Sequence, residues 1–135
     1  MKLKIVCSAL LCFAGATLHA ENAPLFRMVS AKGWVFQEVE RHENASTVEV
    51  TIQGVGSVAA KSMFSLYASC ALMKERGKTA FTIQPLSKAP IRYIVRFVQG
   101  ESIGNNMVDQ PMAEGSPFTA EKCRVLESLL VPWLL

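Results

Sequence analysis

Residues Thr47 to Gln53 alternate without a break: Val48, Val50 and Ile52 fall on one side, and Thr47, Glu49, Thr51 and Gln53 on the other. A period of two with one apolar side is the pattern of a strand that packs on a core through one face. Trp34 to Arg41 predicts a strand before it, with Trp34 and Phe36 on one face and Val35 and Val39 making the other partly apolar. His42 to Ser46 reads as the polar turn between the two. Gly54-Val55-Gly56 ends the alternating strand, and Ser57 is placed to cap the next element. From Val58 to Arg76 the period becomes helical: Ala59, Met63, Leu66, Cys70 and Met73 recur at spacings of four and three, beside a second stripe of Ala60, Phe64, Tyr67 and Ala71. So wide an apolar face predicts a helix pressed onto a sheet. Lys74 to Arg76 followed by Gly77 is a C-terminal signal.

Thr79 to Ile83 and Ile91 to Val98 predict two further strands, split by a turn containing Pro85 and Pro90. In the second, Ile91, Tyr93, Val95 and Phe97 share a face, while Arg92 and Arg96 lie opposite with Ile94 and Val98, toward water. Gly100 to Ser116 has no period and predicts a long loop. Ser116-Pro117 opens a last helix, which lines up Cys123, Leu126, Leu129 and Leu130 and stops at Pro132. The order strand, strand, helix, strand, strand, helix predicts an α+β fold, a small sheet of about four strands with two helices packed on it. Chain ends are normally polar, yet Val131 to Leu135 is apolar. Trp133, Leu134 and Leu135, with Met107 and Met112 of the long loop, are therefore candidate partner contacts; the alternative for the tail is packing on the protein's own core.

Composition narrows the class. The 135 residues, 50% of them hydrophobic and 19% charged, suit one globular domain and argue against disorder. Met1 to Lys4 is basic, Ile5 to Leu18 is uncharged, and Ala20 supplies a small residue before Glu21. This order predicts a signal peptide over residues 1–20, too short for the roughly 20 residues that span a bilayer. Residues 21–33 then read as a leader and 34–135 as a single domain. Cys7 and Cys12 follow Ile5-Val6 and Leu10-Leu11 rather than the small residue that lipid processing requires. The formal charge of +3 includes Lys2 and Lys4, so the processed chain carries 12 − 11 = +1, which argues against a nucleic-acid partner. The short basic start looks bacterial, so the expected location is the periplasm, or outside the cell, with no stable membrane insertion after cleavage. Oligomeric state is not set by any pattern in the chain.

Two cysteines remain after processing, Cys70 and Cys123, in a compartment where thiols oxidise. The expectation is a disulfide; the alternatives are two buried free thiols or, more remotely, a metal site, since His42 is the one remaining His and no CxxC or HxxxH spacing exists. His42 beside Glu40 and Glu43 could be a pH-sensitive imidazole or simply a solvated side chain. Glu38 and Glu40, on alternate residues of a strand, would share a face and could pair for hydrolysis, or else be a solvated edge. Asp109 with Asn105, Asn106 and Glu114 offers oxygens at a spacing that fits no calcium loop, and Met107 and Met112 could be soft copper ligands as well as contacts. Asn44-Ala45-Ser46 fits a glycosylation acceptor that a bacterium would leave idle. No nucleophile and base pair, phosphate loop or cofactor box occurs. The expectation is a non-catalytic protein without cofactor or metal.

Gly33-Trp34, then Val48-x-Val50-x-Ile52-x-Gly54, Tyr67-x-x-Cys70-Ala71 and Gly77-x-x-x-Phe81-x-Ile83, resemble a family of small bacterial envelope proteins, often lipoproteins, of unknown function. The likeness covers roughly residues 33 to 83 and departs from the family in lacking a lipidation Cys and in placing Cys70 where the pattern tends to be polar. It implies an exported envelope protein that binds a protein or a surface ligand, and it carries no functional residue across. The alternative class is a periplasmic inhibitor or immunity protein directed at a hydrolase.

Overall fold

A computed structural model of the chain describes residues 24–98 and 116–134. The predicted signal peptide, most of the long loop and Leu135 lie outside the described residues. Among the described residues eight elements occur in order: β1 (Arg27–Val29), β2 (Val35–His42), β3 (Ala45–Thr51), α1 (Val58–Glu75), β4 (Ala80–Lys88), β5 (Ile91–Val98), β6 (Phe118–Thr119) and α2 (Ala120–Leu134). The strands form one curled antiparallel sheet in the order β1-β2-β3-β5-β4-β6. The class is α+β with two helices, as the pattern implies, but the sheet has six strands rather than four.

The two added strands are edges too short to show a period. β1 lies in the segment read as a leader and pairs Arg27, Met28 and Val29 with Gln37, Phe36 and Val35. β6 is two residues that pair with Ala80 and Phe81. Beyond Phe81 that side of β4 has no neighbouring strand among the described residues, and this explains why β4 runs on through Pro85, where a turn was expected. A proline costs no ladder bond when its missing N–H faces an open edge. The β4 to β5 register slips between Pro85 and Ser87, and the turn itself is confined to the cis Ala89–Pro90 pair. α2 likewise continues through Pro132, which was expected to end it. The proline has no N–H to bond four residues back, so the last turn runs on with that one ladder bond missing.

The core lies between one face of the sheet and the helices. Phe36, Val48, Val50, Tyr93, Val95 and Phe97 come from the sheet and meet Phe64, Ala68, Leu72 and Met73 of α1. Trp34 stands edge-on to Phe64 with ring centroids 5.9 Å apart, and Phe36 to Tyr93 at 6.2 Å. Ser57 caps α1 by accepting from the Ala60 N–H at 3.1 Å. At the other end Gly77, at φ +62°, lets its N–H reach Lys74 O and the Lys78 N–H reach Met73 O, a left-handed cap that closes the helix. α2 adds Cys123 and Leu126 to the same core. The sulfurs of Cys70 and Cys123 are bonded, with Cα atoms 5.8 Å apart, so the two helices are tied where they meet. The opposite sheet face is mixed: Val35 and Ile94 share it with Gln37, Glu49 and Arg92, which lie in one rung where Arg92 pairs with Glu49 at 2.7 Å.

Candidate functional site

The densest chemistry among the described residues is a buried charge cluster under the end of α1. Glu38 points to the core side of β2, in phase with Phe36, and its side chain is wholly excluded from solvent. A bare carboxylate there would be very costly, but this one accepts five hydrogen bonds. Oε1 accepts from Arg41 Nε (2.9 Å), Ser46 Oγ (2.6 Å) and Arg76 Nη1 (3.2 Å). Oε2 accepts from the Phe26 N–H (3.0 Å) and Arg41 Nη2 (2.5 Å).

Each partner is delivered by a separate local feature. Arg41 shares the core side of β2 with Glu38 only because the β2 to β3 register slips between Glu38 and Glu40, placing Val39 in a bulge. Ser46 faces Arg41 in that ladder. Arg76 is the cap residue of α1, and the left-handed turn at Gly77 aims it back at the β2–β3 hairpin. There its Nη2 donates to the His42 and Glu43 carbonyls at 2.5 and 3.2 Å, and its guanidinium lies 5.2 Å from the centre of the Phe97 ring.

Burial pushes the Glu38 carboxyl up, but the Arg41, Phe26 and Ser46 hydrogen bonds and the Arg41 charge outweigh it, so its pKa is lowered. Its hydrogen bonds with Glu38 raise Arg41, whereas burial lowers Arg76. Both guanidinium groups start from a value above 12 and stay charged at neutral pH. A base needs a free lone pair aimed at a substrate proton; the five donors leave Glu38 none. A carboxylate kept ionised and saturated in this way is a structural anchor that ties together the chain before β1, the β2–β3 hairpin and the end of α1.

The other expected positions are more scattered. The bulge puts Glu38 and Glu40 on opposite faces of the sheet, so the two neither pair on one face nor form the solvated edge that was the alternative, Glu38 being buried. Glu40 and His42 form an exposed pair at 3.0 Å on the outer side. Asn44 sits in the β2–β3 turn, while the Ser46 hydroxyl of the acceptor motif is buried and donates to Glu38. Cys70 and Cys123 are joined. Met107, Met112 and Leu135, with Asn105, Asn106, Asp109 and Glu114, lie outside the described residues; Trp133 and Leu134 belong to the last turn of α2. Among the described residues no three His, Cys, Asp or Glu side chains gather as a metal site, and no helix is long and apolar enough to cross a membrane.

Sequence reasoning missed the cluster. A signal was present: Glu38 is in phase with Phe36, and Ser46 with Val48 and Val50, so two polar residues occupy core positions of adjoining strands. Comparison with protein-family models, with curated proteins and with solved structures finds no match.

Proposed function

We propose that this chain is an exported, non-catalytic envelope protein of the bacterial periplasm that works by binding a protein or a surface ligand. The observation that carries the reading is how the buried reactive groups are used. The Glu38 carboxylate is saturated by five internal donors, and Cys70 and Cys123 are consumed in a bridge between the helices. These buried groups are thus spent on holding the fold, and the reading places the protein's action at its surface. The bridge also suits a compartment where thiols oxidise, and the basic and apolar start of the chain supplies a route there.

Affinity capture from a periplasmic extract, with the exported chain as bait, tests this. Capture of an envelope component that competes with excess untagged protein supports the binding reading. Stoichiometric capture of a single hydrolase, with loss of its activity, would replace it by the inhibitor reading. Turnover of a substrate by the purified chain would overturn both.

A further inference from the structure

One end of the sheet gathers three turns. Val29 faces Val35, Thr51 faces Val35 from the other side, and Ile91 faces Val50 and Lys88, so the β1–β2 turn, the β3–α1 loop and the β4–β5 turn all leave the sheet at the same pole. Strand spacing sets the first and last of these about 14 Å apart. Two of the three carry exposed apolar residues where turns are normally polar. Val55 is fully exposed at 103% and Val58 is 80% exposed. Leu86 and Ile91, beside the β4–β5 turn, are 51% and 39% exposed. Gly56 lies against the Trp34 ring, and the Trp34 indole donates to Gln53 O at 3.1 Å, so a rigid seat holds the Val55 loop in place.

Among the described residues the charges at this pole have one sign. Lys88 flanks the β4–β5 turn, Lys61 lies alongside Gly56, and Lys32 sits 5.3 Å from the centre of the Trp34 ring. The sequence has no Asp or Glu from Val50 to Lys74, nor from Arg76 to Val98. The nearest carboxylate along β3 is Glu49, which Arg92 already engages at 2.7 Å. Apolar residues that project into water, ringed by lysines and, among the described residues, free of carboxylates, match the boundary of an anionic bilayer, with apolar groups at the acyl level and ammonium groups at the phosphates.

We infer that this pole is a peripheral docking surface for an anionic lipid bilayer, entered by Val55, Val58 and Leu86 and held by Lys32, Lys61 and Lys88. The contact lies on the membrane and does not cross it. Charge complementarity selects lipid phosphates, and the spread of apolar residues and lysines over three turns selects a surface rather than a single small anion. The inference deepens the binding reading, on which it rests for the compartment.

The exported, oxidised chain is sedimented with vesicles of phosphatidylcholine alone and of phosphatidylcholine with about 30% phosphatidylglycerol. Each lysine at an anionic surface is worth about fivefold in affinity, so binding to the anionic vesicles is expected to be at least tenfold tighter and to weaken with salt. The Lys32→Glu/Lys88→Glu variant is expected to lose at least tenfold on anionic vesicles. The Val55→Ser/Val58→Ser variant, altered only at exposed positions, should also lose binding while its thermal unfolding is unchanged. Equal affinity for both vesicle types, no binding to either, or binding that survives either variant would overturn the inference. A chain that ignores both vesicle types yet captures a periplasmic protein overturns it and leaves the binding reading standing.

Discussion

Arg76 and Glu38 are 38 residues apart in the chain and 3.2 Å apart in the fold, one at the end of a helix and the other inside a strand. Their contact depends on two backbone irregularities, the bulge after Glu38 and the left-handed turn after Arg76. Removing one partner of a buried ion cluster is more damaging than replacing the whole cluster, because it strands the remaining charge. Glu38→Gln leaves two guanidinium groups without their counter-ion and is expected to cost about 3 kcal/mol in urea unfolding.

The same carboxylate gives an acid dependence of definite sign. Because its pKa is lowered on folding, its contribution is complete above the ordinary Glu value of about 4.3 and is lost as pH falls through the lower folded-state value. Stability of the parent should therefore decline below about pH 4.3 more steeply than that of Glu38→Gln, and the gap between them should narrow. Parallel unfolding curves from pH 7 to 2 check this; a gap that stays constant contradicts it.

Tyr93 predicts the opposite limb. Burial drives its hydroxyl up to about 12, partly offset by hydrogen bonds with Ser69 and Ser65. A group whose pKa rises on folding stabilises below its unfolded value, near 10 for Tyr, and that stability is lost as pH climbs through about 12. Tyr93→Phe should lose about 1 kcal/mol at neutral pH, for one hydrogen bond, and show less alkaline destabilisation than the parent. Ser69 keeps its bond to Ser65 O at 2.8 Å, so the loss at neutral pH stays small.

Gly56→Ala would place a Cβ 2.8 Å from Trp34 Cζ2 and 3.2 Å from Cη2. The ring cannot yield freely, since it is buried and its N–H is held by Gln53 O. Overpacking of this kind costs about 1 to 3 kcal/mol. Thermal unfolding should show it, whereas Val55→Ala, at a fully exposed neighbour, should leave the midpoint in place.

The regular elements were legible because their periods are long enough to read. Thr47 to Gln53 and Val58 to Arg76 each carry several repeats, and Ser57 and Gly77 bound the helix by known cap chemistry. The edges were not legible, since β1 and β6 are three and two residues long and depend on a neighbour for their geometry. Pro85 misled because its meaning depends on whether a strand lies beyond it. The charge cluster was half visible, in Glu38 and Ser46 at core phase, but the Val39 bulge that turns Arg41 inward and Glu40 outward has no local marker.

One intact mass tests both the proposed export and the lock formed by the two remaining cysteines. The Cys70–Cys123 bridge closes a separation of 53 residues, worth about 4 kcal/mol in the chain-entropy model, so it should form in the native protein. Protein recovered from the periplasm is denatured without reductant, treated with a thiol alkylator and weighed. The expected mass is that of residues 21–135 less two hydrogens, with no alkyl group added. A mass that retains residues 1–20, or one that carries two alkyl groups, would contradict it.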